Sequence, residues 1–415
     1  MKFKFPLQPL PPLLPFLPLL PLLLFLSFSI SAYSQLTPEV TSWIINTTGD
    51  TGYNGIPSNV QLVQYSDNNV YVSSTCIPGY DIGPWNGNPN TPANQNFVFK
   101  ITRHPMEKTG TPTNVGLGHV GVWTNGVSIF NPKDGMSYNN QGVWNRNALY
   151  YEGVSFDDCL GHPAPNGEYH HHVNPTCLYD DTDSLNHSPT IGFAFDGFPV
   201  YGAYGYTNTD GTGPIKRMRS SYVLTTNTTR ASGPAVNATY PAGCFVEDYT
   251  FDSGSGDLDV HNGRYCITPD YPGGIYAYFV TIDSSLYPVY PFVLGPTYYG
   301  IVQPGNTGPG SGHNTVTESV TTYTATAVND ISEKIHFDIF PNPATDFVTL
   351  FVERDEPNNL EMKMTDELGR VIFKEDFIQP SVPYTFDLSK VPEGIYFMTL
   401  RYQDAVSISK LIVKR

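Results

Sequence analysis

Short runs in which apolar residues alternate with polar ones mark the strands that this sequence predicts. Between residues 35 and 302 the clearest runs are Val60–Tyr65, Val70–Ser73, Asn96–Ile101, Gly121–Thr124, Ile191–Phe195 and Ile275–Ile282. A period of two places successive side chains on opposite faces of a strand. Turn pairs such as Asn125-Gly126 and Asp196-Gly197 separate the runs and supply the positive φ angles of tight hairpins. The pattern predicts a mainly β, loop-heavy domain without an internal repeat.

A second set of runs predicts a small antiparallel β-sandwich over residues 329–415. Its strands are Phe347–Val352, Met362–Thr365, Val371–Phe373, Tyr384–Leu388, Gly394–Leu400 and Ser407–Val413, with a turn at Gly369. Charged residues become much denser from Asn329 onward. Residues 303–328 are rich in Gly and Thr, a composition typical of linkers. We therefore expect two folded domains joined by a linker.

The first 34 residues have the pattern of a secretory signal peptide. Lys2 and Lys4 precede an apolar stretch over residues 5–30, and Ala32 and Ser34 are small residues at the positions read by signal peptidase. The alternative is a membrane anchor, but repeated prolines disfavour a spanning helix. We expect export by the Sec machinery, cleavage after Ser34, and no transmembrane anchor in the mature chain.

Composition narrows the class of partner and the redox environment. Only 14% of the 415 residues are charged and the net charge is −16, so a nucleic-acid partner is not expected. Five cysteines in an exported chain favour disulfides. Proximity favours Cys159–Cys177 and Cys244–Cys266 with Cys76 left over, although other pairings remain open.

The most informative segment is Cys159–Cys177, which contains four of the ten histidines. Imidazole is the commonest metal ligand in proteins because much of it is unprotonated at neutral pH. If the segment that begins at Gly167 is a strand, His170 and His172 share one face with Glu168, and Tyr169 and His171 point the other way. The spacing predicts that His170 and His172 bind one metal ion together.

Two histidines need further ligands to complete a site. The candidates are His162, His119, Asp196 and His261, with Asp157 and Asp158 as weaker oxygen donors. Imidazole ligation suits Cu²⁺ or Zn²⁺, and the sequence does not choose between them. A purely structural role, or acid–base chemistry without a metal, is the alternative for the cluster.

Two families resemble separate parts of the chain. Phe340–Leu350, Leu368–Arg370, Leu388–Tyr396 and Lys410–Arg415 resemble the type IX (Por) secretion C-terminal sorting domain of Bacteroidetes. This resemblance implies Sec export followed by passage through the type IX secretion machinery to the extracellular space or the outer-membrane surface.

The preceding domain resembles the YHYH family. The resemblance rests on Tyr169-His170-His171-His172 and on the segments Gly161–Pro163, Pro175–Leu178, Asp196–Gly205, Ser137–Trp144 and Leu258–Thr281. His171 stands where the family motif has its second tyrosine, on the face opposite to His170 and His172. The resemblance implies a domain and no particular activity.

Three functions fit these observations, and the sequence leaves open whether the protein is an enzyme. The first is a secreted or surface-attached metal-binding protein. The second is a non-catalytic module that binds a polymer or adheres through aromatic loop residues, namely Tyr201, Tyr204, Tyr206, Trp85 and Trp144. The third is a metal-dependent hydrolase with Glu168 or Asp196 as its acid–base group.

Overall fold

The computed structural model describes residues 36–308, 310–324, 337–352, 360–366, 370–402 and 405–415. The signal peptide predicted over residues 1–34 and the turn predicted at Gly369 lie outside these residues, as does the boundary at residue 329. Across the described ranges, no helix is long and apolar enough to cross a membrane.

The first domain consists of short strands and very little helix. Its helices are α1 (Pro38–Thr41) and α2 (Ala148–Glu152), with 3₁₀ turns at Tyr53–Gly55, Tyr138–Asn140, Gly153–Ser155 and Val246–Asp248. Its strands are β1 (Val60–Tyr65), β2 (Asn69–Ser74), β3 (Phe97–Thr102), β4 (His119–Trp123), β5 (Ser128–Phe130), β6 (Lys133–Ser137), β7 (Asn145–Asn147), β8 (His162–Pro163), β9 (Tyr169–His171), β10 (Thr190–Ala194), β11 (Pro199–Tyr201), β12 (Tyr204–Tyr206), β13 (Ile215–Arg217), β14 (Tyr222–Leu224), β15 (Tyr249–Phe251), β16 (Gly263–Cys266), β17 (Ile275–Phe279) and β18 (Thr321–Thr322).

A mixed sheet of eight strands organises this domain, in the order β16-β17-β11-β10-β4-β5-β9-β8. The central strands β4 and β10 are buried at every position, as expected for strands covered on both faces. Large aromatic side chains, including Trp123, Tyr169 and Tyr278, fill the core around the sheet. The sheet ends at β8, so the predicted metal-binding segment lies at its edge.

Part of the predicted linker is packed against the first domain. Strand β18 pairs with β1 and extends a second sheet of order β18-β1-β2-β3. Glu318 accepts hydrogen bonds from Asn69 and Tyr71, and Asn306 exchanges hydrogen bonds with the backbone of Lys100. Residues 303–324, where described, therefore behave as part of the domain and not as a free linker.

The C-terminal strands form two antiparallel sheets that share one core, which confirms the predicted sandwich. The strands are β19 (Phe337–Phe340), β20 (Phe347–Val352), β21 (Leu360–Asp366), β22 (Val371–Ile378), β23 (Tyr384–Asp387), β24 (Gly394–Tyr402) and β25 (Ala405–Val413). The sheet orders are β19-β20-β23 and β22-β21-β24-β25. Val348 and Leu350 from one sheet lie in the same buried cluster as Met362, Met398 and Leu400 from the other.

One of the two expected disulfides is present. Cys159 and Cys177 are bridged across a sequence separation of 18. Cys244 and Cys266 are both buried free thiols, so the predicted second bridge is wrong. Cys266 packs in a small apolar cluster with Tyr201 and Phe279, whereas Cys244 lies beside the buried guanidinium of Arg230. Cys76, the expected odd residue, is also buried and free.

Candidate metal centre

The edge of the large sheet brings three histidines together. Strands β8 and β9 pair antiparallel, with His162 directly opposite His170. His172 follows the end of β9 and returns to the same side as His170, as the alternation predicts. All three side chains are buried, and one potential ligand atom from each lies within 4.8 Å of the others.

Hydrogen bonds fix the protonation of the three rings. His170 Nδ1 lies 3.0 Å from the carbonyl oxygen of Glu168, and His172 Nδ1 lies 2.5 Å from that of Asn131. A carbonyl oxygen only accepts, so each Nδ1 carries the proton and donates it. The Ser155 hydroxyl donates to the Glu152 carbonyl at 2.8 Å and is thus free to accept from His162 Nδ1, also at 2.8 Å. Each Nε2 therefore presents a lone pair.

These lone pairs converge on one another. His170 Nε2 and His172 Nε2 are 3.1 Å apart, and His162 Nε2 has no hydrogen-bond partner although it is buried. Two acceptors at that distance repel unless a cation lies between them. Bonds of about 2.0–2.1 Å to one tetrahedral metal would place two nitrogens about 3.3 Å apart, close to the observed separation. The His170–His172 pair therefore has the spacing of two metal ligands, and His162 lies close enough for the group to hold a metal ion.

Glu152 adds a carboxylate that the sequence did not indicate. It ends α2, and its Oε2 lies 3.2 Å from His172 Nε2 and 4.0 Å from His162 Nε2. Glu152 Oε2 is itself buried and has no hydrogen-bond partner of good geometry. The carboxyl group of Glu152 thus lies beside the Nε2 atoms of His172 and His162 as a further potential oxygen ligand. No motif marks it, because its approach depends on how α2 packs.

Burial disfavours the charged forms of His162 and His170. It lowers the pKa of His162 to about 4, with a further contribution from His172, and it lowers that of His170 well below the usual value. Rings that carry no proton on Nε2 at neutral pH need not lose one before they bind a metal. Phe130 stacks on His170 with ring centroids 3.7 Å apart and holds that ring in place.

The other candidate ligands lie outside this group and have their own partners. His119 Nδ1 lies 2.8 Å from Glu168 Oε1, and the ring is enclosed by phenylalanines. Asp196 accepts hydrogen bonds from Tyr278 and the Gly300 backbone. His261 contacts the side chain and carbonyl of Thr297. The structure does not bring these three residues to the histidine group.

The weaker candidates are also placed elsewhere. Asp157 accepts from the Tyr169 hydroxyl and from the backbone of Gly83, Cys159 and Gly161, so it organises the loop before β8. Asp158 is exposed.

His171 lies on the opposite side of β9, as the alternation predicts. It is fully buried beside Trp123 and Tyr169, and neither ring nitrogen has a hydrogen-bond partner of good geometry, although the Cys159 backbone lies nearby. Burial lowers the pKa of His171 to about 3. The departure from the YHYH motif therefore falls in the core and leaves the His162, His170 and His172 group unchanged.

A cavity of about 780 Å³ opens onto the three histidines. Glu152, Glu168 and Lys133 also line it, together with apolar residues described below. A cavity of this size is typical of small-molecule sites. The group is therefore accessible to a ligand larger than water.

Comparison with known proteins confirms both resemblances. Residues 98–291 match the family model described as YHYH protein, and residues 338–414 match the model of the secretion system C-terminal sorting domain. The histidine group lies within the first match. The sorting domain assigns the protein to type IX secretion and hence to the cell surface or the extracellular space.

Similarity to individual proteins is low. A search of curated proteins found no match. Among solved structures, PorZ, an essential bacterial surface component of the type IX secretion system of Porphyromonas gingivalis, matches at 12% identity with a TM-score of 0.17. The match covers 86% of this chain, and the chain spans about half of PorZ, 51% of its length.

Proposed function

We propose that this chain, a YHYH protein with a C-terminal secretion sorting domain, binds one divalent transition-metal ion through His162, His170 and His172. The observation that carries the proposal is the convergence of three Nε2 lone pairs, with every Nδ1 proton already committed to an oxygen acceptor. Glu152, whose Oε2 lies 3.2 Å from His172 Nε2, can complete the ligand set or give way to a ligand from the cavity. A set of three imidazoles and one carboxylate suits Zn²⁺ or Cu²⁺.

The hydrogen-bond acceptors behind the three rings support the same assignment. Metal-binding histidines generally donate the other ring N–H to a carbonyl, a carboxylate or a fixed hydroxyl, which orients the ring and raises its basicity. The carbonyls of Glu168 and Asn131 and the hydroxyl of Ser155 serve this role here. The Cys159–Cys177 disulfide closes the chain around the segment and restricts its movement.

A metal analysis of the secreted full-length protein, purified without a histidine tag, tests the proposal. We expect about one equivalent of zinc or copper, lost in the double variant His170→Ala/His172→Ala. His104→Ala is the matched control, because His104 is exposed and its ring contacts the Asp67 carbonyl, away from the histidine group. Full metal content in a folded double variant would refute the assignment.

The large cavity favours a catalytic role as the second candidate function. A metal enclosed by four protein ligands without a cavity would be structural, whereas an exchangeable position beside a cavity allows metal-assisted hydrolysis. In that role Glu152, in contact with His172 and partly exposed, is better placed than Asp196 to move a proton, because Asp196 is fully buried elsewhere.

The polymer-binding alternative receives no support from the aromatic residues that suggested it. Tyr201 and Tyr204 are buried in the core, and the Trp144 ring nitrogen donates to the Ala231 carbonyl. Trp85 donates to Asp157 and packs against Tyr169. These side chains do not form an exposed row on which a sugar chain could stack.

A further inference from the structure

The walls of the cavity differ in character from the metal centre at its base. Apolar side chains line much of it: Pro89, Leu117, Phe130, Val154, Pro163, Ala164 and Pro165. Leu117 is 43% exposed and Val154 is 76% exposed, so two large apolar side chains face solvent beside the histidines. Apolar surface of this kind gains free energy when a ligand covers it.

The apolar lining begins directly at the metal centre. Phe130 lies in van der Waals contact with the His170 ring, at a centroid separation of 3.7 Å. A ligand that reached the metal would therefore place its adjoining atoms against Phe130. The volume of about 780 Å³ exceeds what an inorganic anion or a water cluster needs.

Charge around the cavity favours an anionic head on the ligand. A divalent cation at the three histidines and the Lys133 ammonium on the lining together outweigh the Glu152 and Glu168 carboxylates, which also line the cavity. Amide side chains from Asn88 and Asn90 hold the loop at the rim by donating to the Pro163 carbonyl. The rim is thus a fixed polar border around an apolar wall.

We propose that the cavity binds an amphipathic organic anion, with an oxygen-donor head on the metal and a ring-sized apolar body along Leu117, Phe130 and Val154. This inference rests on the proposed function, since the head needs the metal. It names the substrate class of the centre as aromatic or otherwise apolar carboxylate-like molecules.

Two probes with the same metal-binding head separate the inference from the proposed function. Acetohydroxamate and benzohydroxamate differ in a methyl and a phenyl group. We expect calorimetric titration of the zinc-loaded, full-length protein to show at least ten-fold tighter binding of benzohydroxamate. In the variant Leu117→Asn/Val154→Asn the preference should fall below about three-fold while the affinity for acetohydroxamate stays unchanged. Leu117 is 43% exposed and Val154 is 76% exposed, so neither lies in the core and the variant is expected to fold.

Leu185→Asn is the matched control, since Leu185 is 85% exposed and does not line the cavity. It should keep the full preference. Equal affinity for the two probes would overturn the inference and leave the proposed metal site intact. The same conclusion would follow if the protein bound metal but bound neither hydroxamate. Failure to bind metal would instead refute the proposed function.

If the protein does not bind metal, the apolar wall of the cavity can still be tested on the apo protein. Anilinonaphthalene sulfonate is an aromatic anion whose fluorescence rises on an apolar surface. The apo protein should bind it, and Leu117→Asn/Val154→Asn should weaken binding at least five-fold relative to Leu185→Asn. Equal dye binding by these two variants would overturn the assignment of the apolar wall.

Discussion

Replacing Ser155 by alanine tests the reasoning behind the metal centre more sharply than removal of a ligand does. Ser155 is buried and never touches the metal position. Its hydroxyl donates to the Glu152 carbonyl and accepts from His162 Nδ1, both at 2.8 Å. Ser155→Ala removes the oxygen that accepts the His162 Nδ1 proton. Without this hydrogen bond, the proton is no longer held on Nδ1, and the His162 Nε2 lone pair is no longer directed toward His170 and His172.

The magnitude follows from this geometry. Loss of a hydrogen bond behind a ligating histidine generally weakens metal affinity by about 10–100-fold, or about 1.4–2.7 kcal/mol. Only one of the three rings loses its acceptor, since His170 and His172 donate to backbone carbonyls that the substitution leaves in place. We therefore expect a Kd for Zn²⁺ raised by about ten-fold to a hundred-fold, with one equivalent still bound at saturation.

The assay is competition for Zn²⁺ against a fluorescent chelator at neutral pH. Ser221→Ala is the control, because Ser221 is also buried and donates to a backbone carbonyl, that of Leu258, at 2.5 Å. Both variants should lose about 1 kcal/mol of stability, and only Ser155→Ala should lose zinc affinity. Unchanged affinity in Ser155→Ala would refute the assignment of the His162 tautomer.

Three further predictions follow from other contacts. Glu152→Gln should raise the Kd for Zn²⁺ at least ten-fold in the same competition assay, because it removes the negative charge 3.2 Å from His172 Nε2. An unchanged Kd would exclude Glu152 as a ligand. Cys159→Ser/Cys177→Ser should lower stability by about 3 kcal/mol in denaturant unfolding, since the bridge closes a short loop, and an unchanged midpoint would contradict this. Burial raises the pKa of Asp196 to about 6, so the stability gained from its protonated form is complete below about pH 4 and is lost as the pH rises through about 6. Relative to Asp196→Asn, the wild-type protein should lose up to about 3 kcal/mol between pH 4 and pH 7, measured by urea unfolding at each pH, and parallel pH profiles would refute the shift.

The alternation of side chains along a strand accounts for most of what the sequence could predict about the site. It placed His170 and His172 on one side and His171 on the other, and the structure agrees, since that inference needs only local geometry. His162 was a weaker candidate that depended on the pairing of β8 with β9. Glu152 had no local signature at all, because only the packing of α2 brings it near.

The predictions that failed also depended on packing between distant parts of the chain, which the local sequence does not specify. Proximity in sequence predicted the short Cys159–Cys177 bridge correctly but failed for Cys244 and Cys266, which pack in different surroundings. His119, His261 and Asp196 are chemically suitable ligands, yet the fold supplies each with another partner. The Gly- and Thr-rich composition of residues 303–328 suggested a linker, although pairing of β18 with β1 incorporates part of it into a sheet.

The register of β8 against β9 has a consequence for how the exported chain folds. His162 faces His170 across the outermost pair of the large sheet, where an edge strand is most prone to slip or to pair with another chain. A slip of one residue would turn His162 to the opposite face and separate it from its two partners. A bound metal would therefore stabilise only the native register and act as a clasp on the edge strand.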